Sequence, residues 1–328
     1  MRCLVTGGAG FIGSHLVSKL LSKGHQVIVI DNFSTGRRDN LAHYDKSPTL
    51  SIIEADIADF NSIHTYFQEV NWVFHVAGLA DIVPSIQQPM NYHHANVNGT
   101  ISALEAARSA GVQRFIYTAS SSCYGIPDIS PTPETAAIKC EYPYAFTKYT
   151  GEQYALHWGK VYKLPIISLR LFNVYGPRSR TSGAYGAVFG VFLAQKINNS
   201  PFTVVGDGNQ SRDFVFVTDV ANAYIMAAES RTNYEVLNVG SGNTYSVNSL
   251  TKLLGGDVIH VPNRPGEPDC TQADTSKIRH LLGWKPEVSF EKGVGIMLEH
   301  INHWRNAPVW TPEKIHAATE DWFKYLSR

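Results

Sequence analysis

The stretch LVTGGAGFIGSHL, Leu4 to Leu16, joins the end of an apolar, β-branched run to the start of an amphipathic one, with its glycines at the junction. The spacing reads equally as Gly8-x-Gly10-x-x-Gly13 or as Gly7-x-x-Gly10-x-x-Gly13. Glycines between a strand and a helix permit a tight turn, let the backbone approach a pyrophosphate and allow the helix to pack on the strand, while the helix N-terminus offers N–H donors. Asp31 ends the next apolar run, where its carboxylate is placed to accept hydrogen bonds from an adenosine ribose. That acidic residue favours NAD over NADP, with Arg37 and Arg38 as the residues that would serve a 2′-phosphate. Asp56, in EADIAD, stands either to read an adenine edge or to cap a helix.

Outward from this motif, short apolar runs alternate with helical patterns. Strands are expected at Arg2–Thr6, Gln26–Ile30, Ser51–Glu54, Trp72–Val76, Arg114–Ala119 and Pro165–Leu171, and helices near Phe11–Lys23, Asn61–Glu69, Tyr92–Ala110 and Pro143–Tyr162. Strict βαβα alternation implies an α/β doubly wound parallel sheet, a Rossmann fold, with its ligand at the carboxyl ends of the strands. After Asn173 the rhythm gives way to pieces rich in Gly, Pro and Arg, such as YGPRSRTSGAYG and VPNRPGEPDC, which read as a smaller lobe closing over the sheet. The division expected is 1–173 with 213–241 for the dinucleotide-binding domain, 174–212 with 242–310 for the second lobe, and 311–328 for an extra C-terminal helix.

Lys+Arg and Asp+Glu are both 28 in 328 residues, which gives no electrostatic case for nucleic acid or a charged membrane. Cys3, Cys123, Cys140 and Cys270 are scattered without a Cys-x-x-Cys, so they read as reduced thiols, and no metal site is indicated. The sequence shows neither a signal peptide nor a stretch long enough to span a bilayer, and a cytoplasmic protein is expected.

A second motif lies past the fifth strand, which ends in YTASSSCYG. Tyr144 and Lys148, in YPYAFTK, are four apart and share a helix face, while Tyr142 precedes Pro143 and falls outside the helix, with no function assigned. Tyrosine has an ordinary pKa near 10, so as a base at neutral pH it needs positive charge nearby, which Lys148 and an oxidised nicotinamide supply. Ser120, at the strand end, is placed to hold the substrate oxygen in line.

The motifs TGGAGFIG, DNFSTG, DIAD, HVAGLADIVPSIQQP, NVNGT, SSSCYG, YAFTK, LRLFNVYGP, GDGNQSRDF and RPGEPD occur in the order found in extended short-chain dehydrogenase/reductases. The chain resembles the NAD-dependent nucleotide-sugar epimerase/dehydratase family over nearly its whole length, to about Trp304. The resemblance implies Ser120, Tyr144 and Lys148 as catalytic residues. It implies cofactor contacts from Gly7, Gly10, Phe11, Ile12, Gly13, Asp31, Asn32, Ser34, Thr35, Gly36, Asp56, Ile57, Val76, Ala77, Gly78, Ala80, Asn96, Tyr144, Lys148 and Phe172. Substrate contacts are implied for Asp81, Ser120, Ser121, Ser122, Asn173, Ala187, Val188, Val204, Arg212, Arg264 and Glu267, and the arginine pair suits a diphosphate on physical grounds. It also implies a homodimer through Tyr92–Ala110 and Pro143–Tyr162.

Sugar 4,6-dehydratases of this family carry Thr-Asp-Glu where this chain has Ser120-Ser121-Ser122, and the decarboxylases carry an acid at the position of Ser122. The resemblance therefore points to 4-epimerisation of a UDP-sugar through a 4-keto sugar. Thr271, where a bulky Tyr can close the pocket against an N-acetyl group, together with Ala80 and GAYGAV (Gly183 to Val188), favours UDP-N-acetylglucosamine/UDP-N-acetylgalactosamine, with UDP-glucose/UDP-galactose beside them. A UDP-glucuronate 4-epimerase, with Arg180 facing the C6 carboxylate, is the rival. A nucleotide-sugar reductase with net NAD(P)H turnover, or a non-catalytic dinucleotide-binding regulator, stands further off. Residues 306–328 run past the usual end, with Thr311 as N-cap, Pro312 at the first helical position, and Ile315, Ala318, Trp322 and Tyr325 along one face. Packing on its own subunit is the simpler reading of that face, ahead of a partner-binding helix.

Overall fold

A computed structural model of the chain describes residues 1–181 and 187–327; Gly183 to Gly186 of the GAYGAV stretch lie outside the described residues. The strands are β1 (Arg2–Thr6), β2 (Gln26–Asp31), β3 (Leu50–Glu54), β4 (Trp72–His75), β5 (Arg114–Ser120), β6 (Ile166–Leu171), β7 (Asn173–Tyr175), β8 (Phe202–Val205), β9 (Ser211–Arg212), β10 (Phe214–Phe216), β11 (Glu235–Val239), β12 (Tyr245–Ser246) and β13 (Val258–Val261). Seven of them form one parallel sheet in the order β11-β6-β5-β4-β1-β2-β3. The chain winds outward from β1 to β3, then returns past β1 to β4, so the order reverses between β1 and β4. That reversal opens a crevice at the carboxyl ends of the strands. β4 and β6 are buried along their whole length, as a parallel sheet covered on both faces requires.

The helices in the first half are α1 (Phe11–Ser22), α2 (Phe60–Ile63), α3 (Ile82–Gln87), α4 (Pro89–His93), α5 (Gly99–Ser109) and α6 (Pro143–Tyr162). Two of the expected helices are broken. Asp59 caps α2 through the N–H of Asn61, and the segment then tightens to a 3₁₀ turn over His64–Phe67. The helix expected from Tyr92 begins earlier, at Pro89, and widens to a π turn over His94–Asn98 before α5. Thr100 Oγ1 donates to the carbonyl of Asn96 at 2.6 Å in that turn, and the Asn96 side chain is bonded to Leu79 and Thr147 instead of facing solvent. A widened turn aimed at a site is a common use of the π bulge.

The second half supplies α7 (Val188–Ile197), α8 (Val217–Glu229), α9 (Val247–Leu254), α10 (Ser276–Leu282) and α11 (Phe290–Glu299). α8 packs beside α1 under the sheet. An aromatic core around Tyr175, Phe189, Phe214 and Phe290 holds the second lobe together. The tail is not one helix but two, α12 (Pro312–Ala318) and α13 (Glu320–Leu326), divided at buried Thr319, whose hydroxyl turns back to the carbonyl of Ile315. Thr311 caps α12 through the N–H of Lys314, as expected. The division changes the face: Ile315 and Trp322 are buried, whereas Tyr325 is 60% exposed. No described helix is long and apolar enough to cross a membrane.

Candidate active site

The glycine turn resolves to one of its two spacings. Gly7 has φ +67°, and a Cβ on Gly13 would lie 2.2 Å from the Gly7 carbonyl oxygen, so the working set is Gly7-x-x-Gly10-x-x-Gly13. Gly8 faces the other way, against Val29. Gly10 is the N-cap of α1 and has no side-chain cap, which leaves the first-turn N–H groups of a long helix to a ligand. Gly7, Gly10, Phe11, Ile12 and Gly13 all line a cleft of about 920 Å³ at the carboxyl ends of the strands.

At the end of β2 the Asp31 carboxylate accepts the N–H groups of Ala9 at 2.9 Å and Phe33 at 2.8 Å. Burial raises its pKa, and those two hydrogen bonds work against the rise. Gly36 is not part of the cleft surface; it backs Asp31, and a Cβ there would sit 2.8 Å from both carboxylate oxygens. Asn32, Ser34, Thr35, Asp56, Ile57, Val76, Ala77, Gly78 and Ala80 continue the lining. Asp56 caps no helix, since Asp59 has that role; it accepts the Ala58 N–H in a local turn. Arg37 is bonded to Thr181 and His303, and Arg38 to Glu54, so both arginines already have protein partners. Glycine cradle, uncapped helix start and a buried carboxylate at the end of the next strand together fit a dinucleotide.

Further along the cleft, the end of β5 delivers Ser120 and the 3₁₀ turn after it Ser121 and Ser122, while the first two turns of α6 deliver Tyr144 and Lys148. Ser120 Oγ and Ser122 Oγ are 2.5 Å apart, and both hydroxyls lie beside that of Tyr144. Burial raises the Tyr144 pKa, and the serine hydroxyls offset part of that rise. Lys148 is 5% exposed, with Nζ 4.9 Å from the Tyr117 ring centroid. Burial draws its pKa from 10.5 down to about 8, against the opposing charge of Glu152 one turn on.

A pH dependence follows. As pH rises through about 8, folded Lys148 loses its charge; with Tyr144 as the base, that charge would steady its oxyanion, so turnover should fall. The folded pKa lies below the unfolded one, so between about 8 and 10.5 the unfolded chain binds the proton that the folded chain has released. Stability therefore gains from this group as pH rises across the same window. Initial rates and urea midpoints measured from pH 7 to 10 should move in opposite directions, and the contribution from Lys148 should vanish in Lys148→Met.

Three expected contacts are absent from the cleft surface. Gly36 stands behind Asp31. Asn96 lies beneath the floor, its side chain tying Leu79 to Thr147 and so fixing the loop that carries Ala80 and Asp81 against α6. Val204 points into the core of the second lobe, and strand alternation turns its neighbours Thr203 and Val205 to the cleft instead.

The second lobe closes the far end. Arg212 Nη2 meets Glu267 Oε1 at 2.8 Å, and Arg264 Nη1 lies 3.9 Å from Glu267 Oε2, so one carboxylate holds two guanidinium groups at the same wall. Thr271 Oγ1 donates to Asn173 Oδ1 at 3.2 Å. Phe172, Ala187 and Val188 complete the lining. Arg180 Nη1 pairs with Asp81 Oδ2 at 2.6 Å across the mouth. Burial raises the Asp81 pKa, and Arg180 partly restores it. Among the described residues, no group of three His, Cys, Asp or Glu forms a metal site.

Sequence reasoning missed Tyr142. Extended backbone at the N-cap of α6 turns it into the cleft, where its ring stacks on Tyr144 with centroids 6.3 Å apart and planes at 10°, and its hydroxyl lies beside Ser122. An aromatic residue before Pro143 was the available signal, but no spacing rule covers that position. Trp310 and Trp322 also line the cleft, from a tail whose place in the fold no local pattern reveals.

The chain's likeness to known proteins agrees with this geometry. A family model for the NAD dependent epimerase/dehydratase family matches residues 3–240. A putative UDP-glucose 4-epimerase of Methanocaldococcus jannaschii is 36% identical over 299 residues, covering 89% of this chain and 95% of that protein. The crystal structure of a Thermotoga maritima UDP-glucose 4-epimerase with UDP-glucose superposes with a TM-score of 0.86 at 34% identity, covering 92% of this chain and 99% of that one. A UDP-N-acetylglucosamine 4-epimerase from Methanobrevibacter ruminantium, in complex with UDP-N-acetylmuramic acid, gives 0.85 at 32% identity, covering 91% and 98%. UDP-glucuronic acid decarboxylases and a UDP-glucuronic acid 4-epimerase are also among the relatives. With its glycine cradle, its Ser120, Tyr144 and Lys148 at the sheet's carboxyl edge, and homologues of matching length, this chain belongs to the extended short-chain dehydrogenase/reductases of the NAD-dependent epimerase/dehydratase family.

Proposed function

We infer that the protein inverts C4 of a UDP-sugar, with UDP-N-acetylglucosamine and UDP-N-acetylgalactosamine as its preferred pair and UDP-glucose and UDP-galactose as further substrates. One observation carries the choice of reaction: among the described residues, every carboxylate lining the cleft is already engaged. Asp31 holds two backbone N–H groups, Asp56 a third, Asp81 holds Arg180, and Glu267 holds Arg212. The strand end that faces the sugar offers only the hydroxyls of Ser120, Ser121 and Ser122. Dehydration and decarboxylation need an acid or base beyond Tyr144, whereas epimerisation does not.

NAD, when bound, supplies a reversible hydride acceptor for C4. Gly7, Gly10 and Gly13 admit its pyrophosphate, and Asp31 receives its ribose. Tyr144 takes the proton of the C4 hydroxyl and returns it to the 4-keto sugar, Lys148 steadies the Tyr144 oxyanion, and Ser120 positions the substrate oxygen. Arg212 and Arg264 grip the diphosphate. A firm grip there with a loose one on the sugar lets the 4-keto sugar present its other face.

Thr271 is small and turned toward Asn173, which leaves space beside the sugar for an N-acetyl group. The pairing of Arg180 with Asp81 weighs against a C6 carboxylate as its ligand. We further propose a homodimer, because α6, one of the two expected interface helices, exposes Phe146, Tyr154, Val161 and Tyr162. The purified protein, incubated without added nicotinamide cofactor, should interconvert UDP-N-acetylglucosamine and its C4 epimer by NMR, faster than UDP-glucose and far faster than UDP-glucuronate. Absence of any C4 interconversion would overturn the reading, and a pentose product from UDP-glucuronate would establish decarboxylation instead.

A further inference from the structure

The tail beyond the family motifs, residues 306–328, reaches the cleft. From Trp310, whose carbonyl accepts the Gln195 side chain at 2.7 Å, the chain crosses to the rim of the cleft through α12 and α13. There Trp322 is 5% exposed and lines the cleft. Its Nε1 donates to the carbonyl of Pro265 at 2.7 Å, and the Arg264 guanidinium lies 5.4 Å from its ring centroid. One residue earlier, Asp321 Oδ2 accepts from Gln87 Nε2 at 2.9 Å at the far end of α3, the helix whose N-cap is Asp81. The tail thus ties the loop bearing Arg264 to the helix bearing Asp81, from opposite sides of the cleft.

We propose that Trp322 is a positioning residue for the diphosphate grip, and that α12 and α13 form a strap completing the nucleotide-sugar wall. The assignment rests on the UDP-sugar reading above. Arg264 stands in Arg-Pro-Gly-Glu, where Gly266 with φ +71° makes a sharp turn, and a guanidinium carried on such a turn needs both its backbone and its charge held. A buried indole fixes both ends of that problem: its N–H pins the backbone at Pro265, and its face holds the cation by cation–π attraction. Glu267 then sets the spacing between Arg264 and Arg212. The glycine cradle and the triad stand apart from these contacts, so the strap should govern substrate and not dinucleotide.

The test compares the wild-type chain with Trp322→Ala, Trp322→Phe and a chain ending after Trp310, measuring UDP affinity by calorimetry, KM and kcat for the best substrate, and bound NAD per chain. In Trp322→Ala the UDP Kd and the KM should each rise about tenfold or more, with kcat within about twofold and NAD content unchanged. Trp322→Phe, which keeps a ring and loses the Pro265 bond, should fall between, and it remains informative if the alanine variant or the shortened chain does not fold. Folded, NAD-loaded variants that bind UDP as tightly as wild type overturn the strap alone. A wild-type chain that binds neither UDP nor a UDP-sugar overturns the UDP-sugar reading and the strap with it.

Discussion

Tyr144→Phe should lower kcat about a thousandfold while leaving the fold, the bound NAD and the UDP affinity as they are. The magnitude is what positioned acid–base catalysis supplies, about 10²–10⁴ in rate. The change removes one oxygen from a ring held by other means: Tyr142 stacks on one side and Tyr92 meets it edge-on with centroids 6.4 Å apart. Ser120 and Ser122 remain bonded to each other. A loss confined to kcat, read from initial rates at saturating UDP-sugar, identifies an interaction made in the transition state. Retained turnover would reject Tyr144 as the proton carrier and move the role to another hydroxyl of the cleft, with the Tyr142 phenol, whose ring stacks on Tyr144, as the candidate. Tyr142→Phe is the matched control: it keeps the stacked ring and loses only the hydroxyl, so its kcat should fall by less than about tenfold.

The parts of this site legible in sequence are those where a short-range rule acts. Gly10 and Gly13 follow from a strand-to-helix turn, Asp31 from the end of the next strand, and Lys148 from Tyr144 by one helical turn. Each depends on neighbours in the chain, and each is where the structure places it. Of the two glycine spacings the sequence allows, the choice needed the contact between Gly13 and the Gly7 carbonyl, which depends on the packing of α1 over β1. The misplacement of Val204 has a related origin. The resemblance implies Val204 without any strand register, and alternation along β8 turns Thr203 and Val205 to the cleft while Val204 faces the core. Tyr142 and Trp322 were out of reach for a stronger reason, because their roles come from contacts with Ser122 and Pro265, and pairings at such separation leave no periodicity to read.

Glu152→Ala should cost about 3–5 kcal/mol of stability, the penalty for stripping a buried ion of its partner. Glu152 lies one turn beyond Lys148 on α6, and its carboxylate takes Arg170 in a two-pronged bond: Nη2 to Oε1 at 2.6 Å and Nε to Oε2 at 3.0 Å. Both side chains are at most 5% exposed. Burial opposes the Arg170 charge, but the hydrogen bonds and charge of Glu152 outweigh it and hold the guanidinium above its ordinary pKa. Without Glu152 that cation remains buried, and the Ser168 hydroxyl loses its acceptor as well. The urea midpoint should fall accordingly, whereas the double variant Glu152→Leu with Arg170→Met should recover most of the loss, because an apolar pair carries no desolvation cost. If the single variant were as stable as wild type, the pair would not be the buried ionic link that the geometry describes. The same carboxylate is what opposes the burial-driven fall of the Lys148 pKa. In both variants the alkaline limb of turnover should therefore move below pH 8, and the double variant separates the two effects by restoring stability while leaving that limb displaced.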